Sequence, residues 1–123
     1  MTVLAVAVAA VVAFVLSGAY YAAYGRRLAS WSAAYATPRP AALTAVVELG
    51  RNLVLAAVLR GLLTGSGLGA ALLVALALWV AFPVVLLLGS VYHERTDPRL
   101  ALVHAGDWFV KLAVMTLAVQ LIG

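Results

Sequence analysis

The chain has 123 residues, 67% of them hydrophobic and 10% charged, against roughly 25% charged in an ordinary soluble domain. That length leaves room for one domain, and eight basic and four acidic side chains are too few to cover the surface a small domain shows to water. A water-soluble fold is therefore excluded, and the lack of cysteine excludes disulfides and thiolate metal sites.

A helix needs about 20 predominantly apolar residues to cross a hydrocarbon core about 30 Å thick. Residues 2–24 supply the first such run, with no charge before Arg26. Ser17-x-Ala19 resembles a signal-peptide cleavage site. No positive n-region precedes it, and the apolar stretch is too long, so a retained helix is expected. Thr37-Pro38-Arg39-Pro40 breaks the pattern, and residues 41–63 form the second run. Gly65-Ser66-Gly67 is a tight turn before the third run, residues 68–91. Pro83 within that run removes a bond to the Trp79 carbonyl and predicts a kink. Glu94-Arg95-Thr96-Asp97-Pro98 is polar, and residues 100–122 are the fourth run. Short polar connections force antiparallel neighbours. The expected fold is all-α: an integral membrane four-helix bundle of two similar hairpins, one transmembrane domain over residues 1–123.

Positive charge sets direction. Loops one and three share a side and hold Arg26, Arg27, Arg39, Arg95 and Arg99, while Arg60 is alone at the opposite side. This asymmetry places the loops in the cytoplasm and both termini outside a cell membrane that the chain crosses several times. Tyr20, Tyr21, Tyr24, Trp31, Tyr35 and Tyr92 gather at the same edge, as an aromatic belt would. A net charge of +4 raises nucleic acid as a partner. The basic residues are scattered where membrane loops need them, so none is expected.

The two halves echo each other. Thr37-Pro38-Arg39-Pro40-Ala41 returns 60 residues later as Asp97-Pro98-Arg99-Leu100-Ala101, and Leu16-Ser17-Gly18-Ala19-Tyr20 is echoed by Leu88-Gly89-Ser90-Val91-Tyr92. Such a parallel repeat has its natural symmetry axis along the membrane normal.

The second helix carries Glu48, Arg51 and Asn52, and the fourth carries His104, Asp107 and Lys111. Glu48 lies roughly 12 Å in from Pro40 and Arg51 roughly 16 Å; Asp107 lies roughly 10 Å in from Leu100 and Lys111 roughly 16 Å. Acids thus share one depth and bases another. Within each helix the spacing lets acid and base meet; between helices, Asp107 can pair with Arg51 and Glu48 with Lys111. Each isolated charge costs about 2.5–3.5 kcal/mol at the helix centre, so compensation is required. The expectation is a closed polar cluster between the second and fourth helices or a partner chain. Gly50 and Gly106 would let the backbones approach.

Two functions follow. A neutral ion-pair network fixes helix pairing in a structural or accessory protein. The alternative is a small transporter or channel for a proton-coupled or anionic solute, using Glu48 and Asp107, with His104 as relay. Trp79 and Trp108 read as packing residues, and Gly61 with Gly65 as a close-packing pair. His93-Glu94 lacks the second histidine of a zinc motif, so His93 reads as a solvated loop residue. No nucleophile set or phosphate loop is present in the sequence, so neither an enzyme, a cofactor nor a metal is expected. The expected partners are the lipid bilayer and a second copy in a homodimer, because one such bundle is thin-walled for a transport path. A small-molecule or ion ligand belongs to the transport alternative.

Gly18-Ala19-Tyr20-Tyr21, Tyr24-Gly25-Arg26-Arg27 and Trp31, then Leu78-Trp79-Val80-Ala81-Phe82-Pro83, Tyr92-His93-Glu94-Arg95 and Leu102-Val103-His104-Ala105-Gly106-Asp107-Trp108 carry a resemblance over about the whole chain. With these stretches the chain resembles a prokaryotic membrane family catalogued as domain of unknown function 1761. The resemblance implies a four-helix membrane fold without assigned chemistry, and no site residues to carry over. Glu48 and Arg51 depart from it, because an apolar second helix is what the family's pattern implies.

Overall fold

A computed structural model describes residues 2–37 and 39–122. Pro38, in the first loop's Pro-Arg-Pro break and in the proposed repeat, lies outside the described residues. Apolar runs without interior breakers form α1 (Thr2–Trp31), α3 (Ala41–Leu63), α4 (Leu68–Trp79), α5 (Val85–His93) and α6 (Pro98–Ile122), with a short α2 (Ala33–Ala36) in the first loop. A π-helical turn, Val80–Val84, joins α4 to α5. No strand occurs among the described residues. Four helices are long and apolar enough to cross a bilayer: α1, α3, the continuous Leu68–His93 unit, and α6. The protein is a membrane-spanning four-helix bundle.

α1 runs on past residue 24 to Trp31. Its 30 residues span about 45 Å, longer than a hydrocarbon core of about 30 Å. Arg26 and Arg27 end the apolar run but not the helix, because arginine is a good helix former. Ser32 then caps α2, its hydroxyl accepting from the Ala34 N–H at 3.3 Å. The second loop turns as the sequence predicts, with Gly65 in the left-handed region at φ +85°, which glycine enters without steric cost. The Leu63 carbonyl at the end of α3 accepts from the Ser66 N–H at 3.0 Å and from the Gln120 side chain on α6 at 3.1 Å, which ties the two helix ends together. Pro83 sits inside the π turn, which accommodates the missing N–H by shifting the hydrogen-bond register.

α6 occupies the middle of the bundle, packed against α1, α3 and the Leu68–His93 unit, while α1 packs against α3 and α6. Ala5, Ala9 and Ala13, four apart and fully buried, allow that close approach. Two apolar clusters result. One gathers Ala9, Ala13, Ala56, Leu59, Leu112, Met115 and their neighbours toward the termini. The other gathers Leu28, Leu100 and Val103 under Tyr20, Tyr21, Tyr24 and Trp31 at the loop end. Those four aromatics therefore face inward, a correction to the belt expected from sequence; Tyr92 is 81% exposed. The two halves are both helix–loop–helix, but α2 is confined to the first, and Asp97 caps α6 where Pro40 begins α3 without a side-chain cap.

Candidate functional site

Between the two apolar clusters the bundle opens into a cleft of about 720 Å3. α1 supplies Ser17 and Tyr21, α2 supplies Tyr35, α3 supplies Glu48, Arg51 and Asn52, and α6 supplies His104, Asp107, Trp108 and Lys111. All six polar residues singled out on the second and fourth helices thus line one space. They do not close it: Arg51's side chain is 56% exposed and Glu48's 33%.

The ion pairs form within helices rather than between them. Arg51 Nη1 donates to Glu48 Oε1 at 2.7 Å across one turn of α3. Lys111 Nζ lies 3.3 Å from Asp107 Oδ2 across one turn of α6. The expected pairs Asp107–Arg51 and Glu48–Lys111 are replaced because a same-helix partner lies one turn away whatever the tilt of the neighbouring helix. The cleft separates the two pairs, so the closed cluster is corrected to an open one. Asp107 and Lys111 are both buried. Lys111 also lies 4.9 Å from the centroid of the Trp108 ring, a cation–π contact, so Trp108 does more than fill space.

Ser17 and Tyr21 are what sequence reasoning missed here. Ser17 donates to Asp107 Oδ1 at 2.5 Å, so both carboxylate oxygens are engaged. Tyr21's hydroxyl is hydrogen-bonded to His104 Nδ1 at 2.5 Å, with the tautomer deciding which one donates. The pairings 17–107 and 21–104 descend along α6 as they ascend along α1, the register of antiparallel helices. Tyr35 stacks on Tyr21 with centroids 6.5 Å apart and lies 6.1 Å from His104, so α2 roofs the loop end of the cleft. Arg39 stands at that mouth and forms no ion pair among the described residues. A signal for Ser17 and Tyr21 does exist in the sequence, namely two hydroxyls one turn apart within the apolar run of α1.

Neither glycine acts as expected. A Cβ at Gly50 would meet nothing within 4 Å, so no helix approaches there, and the same holds for Gly61. A Cβ at Gly106 would lie 2.5 Å from the Tyr20 hydroxyl, so Gly106 makes room for a ring rather than a backbone. Trp79 donates from Nε1 to the Ala105 carbonyl at 2.8 Å and meets Phe109 edge-on, tying α4 to α6. Asn52 reaches the Ala10 carbonyl at 3.5 Å, a long contact. His93 is exposed at the end of α5. Among the described residues no three histidine or carboxylate side chains are grouped as a metal ion would need.

The model of the family described as protein of unknown function DUF1761 matches residues 4–120. The chain belongs to this family. No curated protein and no solved structure matches it. The stretches that carry the family resemblance meet in space: Tyr20 against Gly106, Tyr21 on His104, Trp79 on the Ala105 carbonyl. Glu48 and Arg51 form the opposite wall of the cleft.

Proposed function

We propose that this member of the family is a small transporter or channel whose path runs through the polar cleft, with Glu48 and Asp107 as its acidic groups. One observation carries the reading: every ionisable residue at membrane depth on α3 and α6 lines a single open space of small-molecule size. Charges kept only to hold helices together gain nothing from an open face, because exposure to hydrocarbon is what makes them costly. Along the path, Arg39 and Tyr35 stand at the mouth, His104 and Tyr21 follow, and the Asp107–Lys111 pair lies deepest. The arginine-rich loops give the mouth a cytoplasmic address and leave the termini outside.

A second reading, that the pairs are architecture, is favoured by Asp107–Lys111, which is buried with both carboxylate oxygens engaged. Replacing all four charges together separates the two, since no lone charge is then left buried. The variant combines Glu48→Gln, Arg51→Met, Asp107→Asn and Lys111→Met. If the charges serve a path, it melts in detergent at or above the wild-type midpoint, because exchanging the buried Asp107–Lys111 pair for neutral groups is neutral or stabilising by about 1–4 kcal/mol. A large fall in midpoint, or loss of assembly, makes the cluster architecture and removes the main support for transport.

A further inference from the structure

Basic side chains outnumber carboxylates on the walls of the cleft. Both oxygens of Asp107 are engaged, by Ser17 and Lys111. Glu48 has one oxygen committed to Arg51, while Arg51 uses only Nη1 and leaves the rest of its guanidinium fork unengaged. Arg39 adds a second guanidinium without an ion-pair partner among the described residues. Three cations face two carboxylates around one space, a surplus of one positive charge with histidine counted as neutral. A guanidinium fork matches the two oxygens of a carboxylate. Phe14, Tyr21, Tyr35 and Trp108 present aromatic surface to the same space, which suits a planar apolar body.

We propose that the cleft binds a small organic monoanion with a planar apolar body, its anionic head between Arg39 and Arg51 and its body against Tyr35 and Trp108. This rests on the transport reading for its consequence, but binding itself does not require transport. The ligand neutralises the surplus charge and supplies acceptors to the two guanidinium groups. An inorganic anion would satisfy the arginines and leave the aromatic wall wet, whereas a neutral aromatic would leave the charge unmatched.

The test uses the full-length protein in an uncharged detergent, with benzoate, benzamide, benzylammonium and acetate as probes, read by the shift in melting midpoint and by titration calorimetry. Benzoate should raise the midpoint saturably, and acetate should bind at least tenfold more weakly. Benzamide and benzylammonium should produce no saturable shift. Arg39→Gln, at an exposed loop position where folding is not at stake, should weaken benzoate at least tenfold, with partial recovery in Arg39→Lys. Equal shifts from benzoate and benzylammonium overturn the proposal, as do unchanged binding in Arg39→Gln and an absence of benzoate binding. None of those results would by itself remove a water-filled path, which thiol accessibility reports separately.

Discussion

A Cβ built at Gly106 falls 2.5 Å from the Tyr20 hydroxyl oxygen and 3.4 Å from the ring carbon bearing it. The hydroxyl is thus the clashing atom, and the ring beneath it sits at ordinary contact distance. Gly106→Ala gains about 1 kcal/mol of helix propensity but must push Tyr20 aside, and overpacking costs typically about 1–3 kcal/mol. In a Tyr20→Phe background the obstacle is gone and the propensity gain remains. A double-mutant cycle by thermal melting should therefore show Gly106→Ala more favourable by about 1 kcal/mol or more when residue 20 is Phe. Strict additivity would mean that the two side chains do not meet. At this scale the ionisable residues were legible because charges in an apolar run announce themselves. Ser17 and Tyr21 gave a weaker signal, since a hydroxyl in a membrane helix costs little, and they read instead as part of a cleavage-like site and of an aromatic belt.

Capping distinguishes two elements that look alike in sequence. Thr37-Pro38-Arg39 and Asp97-Pro98-Arg99 share a pattern, yet Asp97 is the cap of α6, accepting from the Arg99 backbone N–H at 2.9 Å and from its guanidinium at 2.7 Å. Pro98 takes the first helical position, where a missing N–H is harmless. The hydrogen bonds from Arg99 hold the Asp97 carboxyl below the usual carboxylate range. Because the folded value is depressed, this contribution to stability is present above the unfolded pKa and is lost as pH falls through the folded one. The carboxyl carbon of Asp97, followed by NMR in protein labelled at aspartate, should titrate below the usual Asp range. In Arg99→Gln its midpoint should rise toward that range; an unmoved midpoint would contradict the assignment. Helix positions were legible from apolar runs, and α3 begins and ends where those runs do. The end of α1 was not, because a change from apolar to basic residues marks the edge of a membrane rather than the end of a helix.

The molecule as a whole is organised around a polar space held between two apolar clusters, with α1 as its floor and α3 and α6 as its walls. Composition makes a bundle unavoidable, but the arrangement of its helices depends on which faces touch. α6 packs centrally, against all three other spans, and nothing in its apolar run distinguishes it in that respect from its neighbours. The residues of the cleft were visible singly as Glu48, Arg51, Asn52, His104, Asp107 and Lys111, while their grouping around an open space was not, because same-helix pairing hid the gap between walls. Opening is the property on which the transport reading stands. The absence of cysteine from the chain makes it directly measurable. Gly18 lines the cleft and has open space where a side chain would go, whereas Val15, nearby on α1, is 59% exposed on the outer surface and does not line it. A Gly18→Cys variant should react with a membrane-impermeant methanethiosulfonate in inside-out vesicles and resist it from outside intact cells, and Val15→Cys should stay unreactive from both sides. If Gly18→Cys is as inert as Val15→Cys from either face, water does not reach the cleft and the central claim fails.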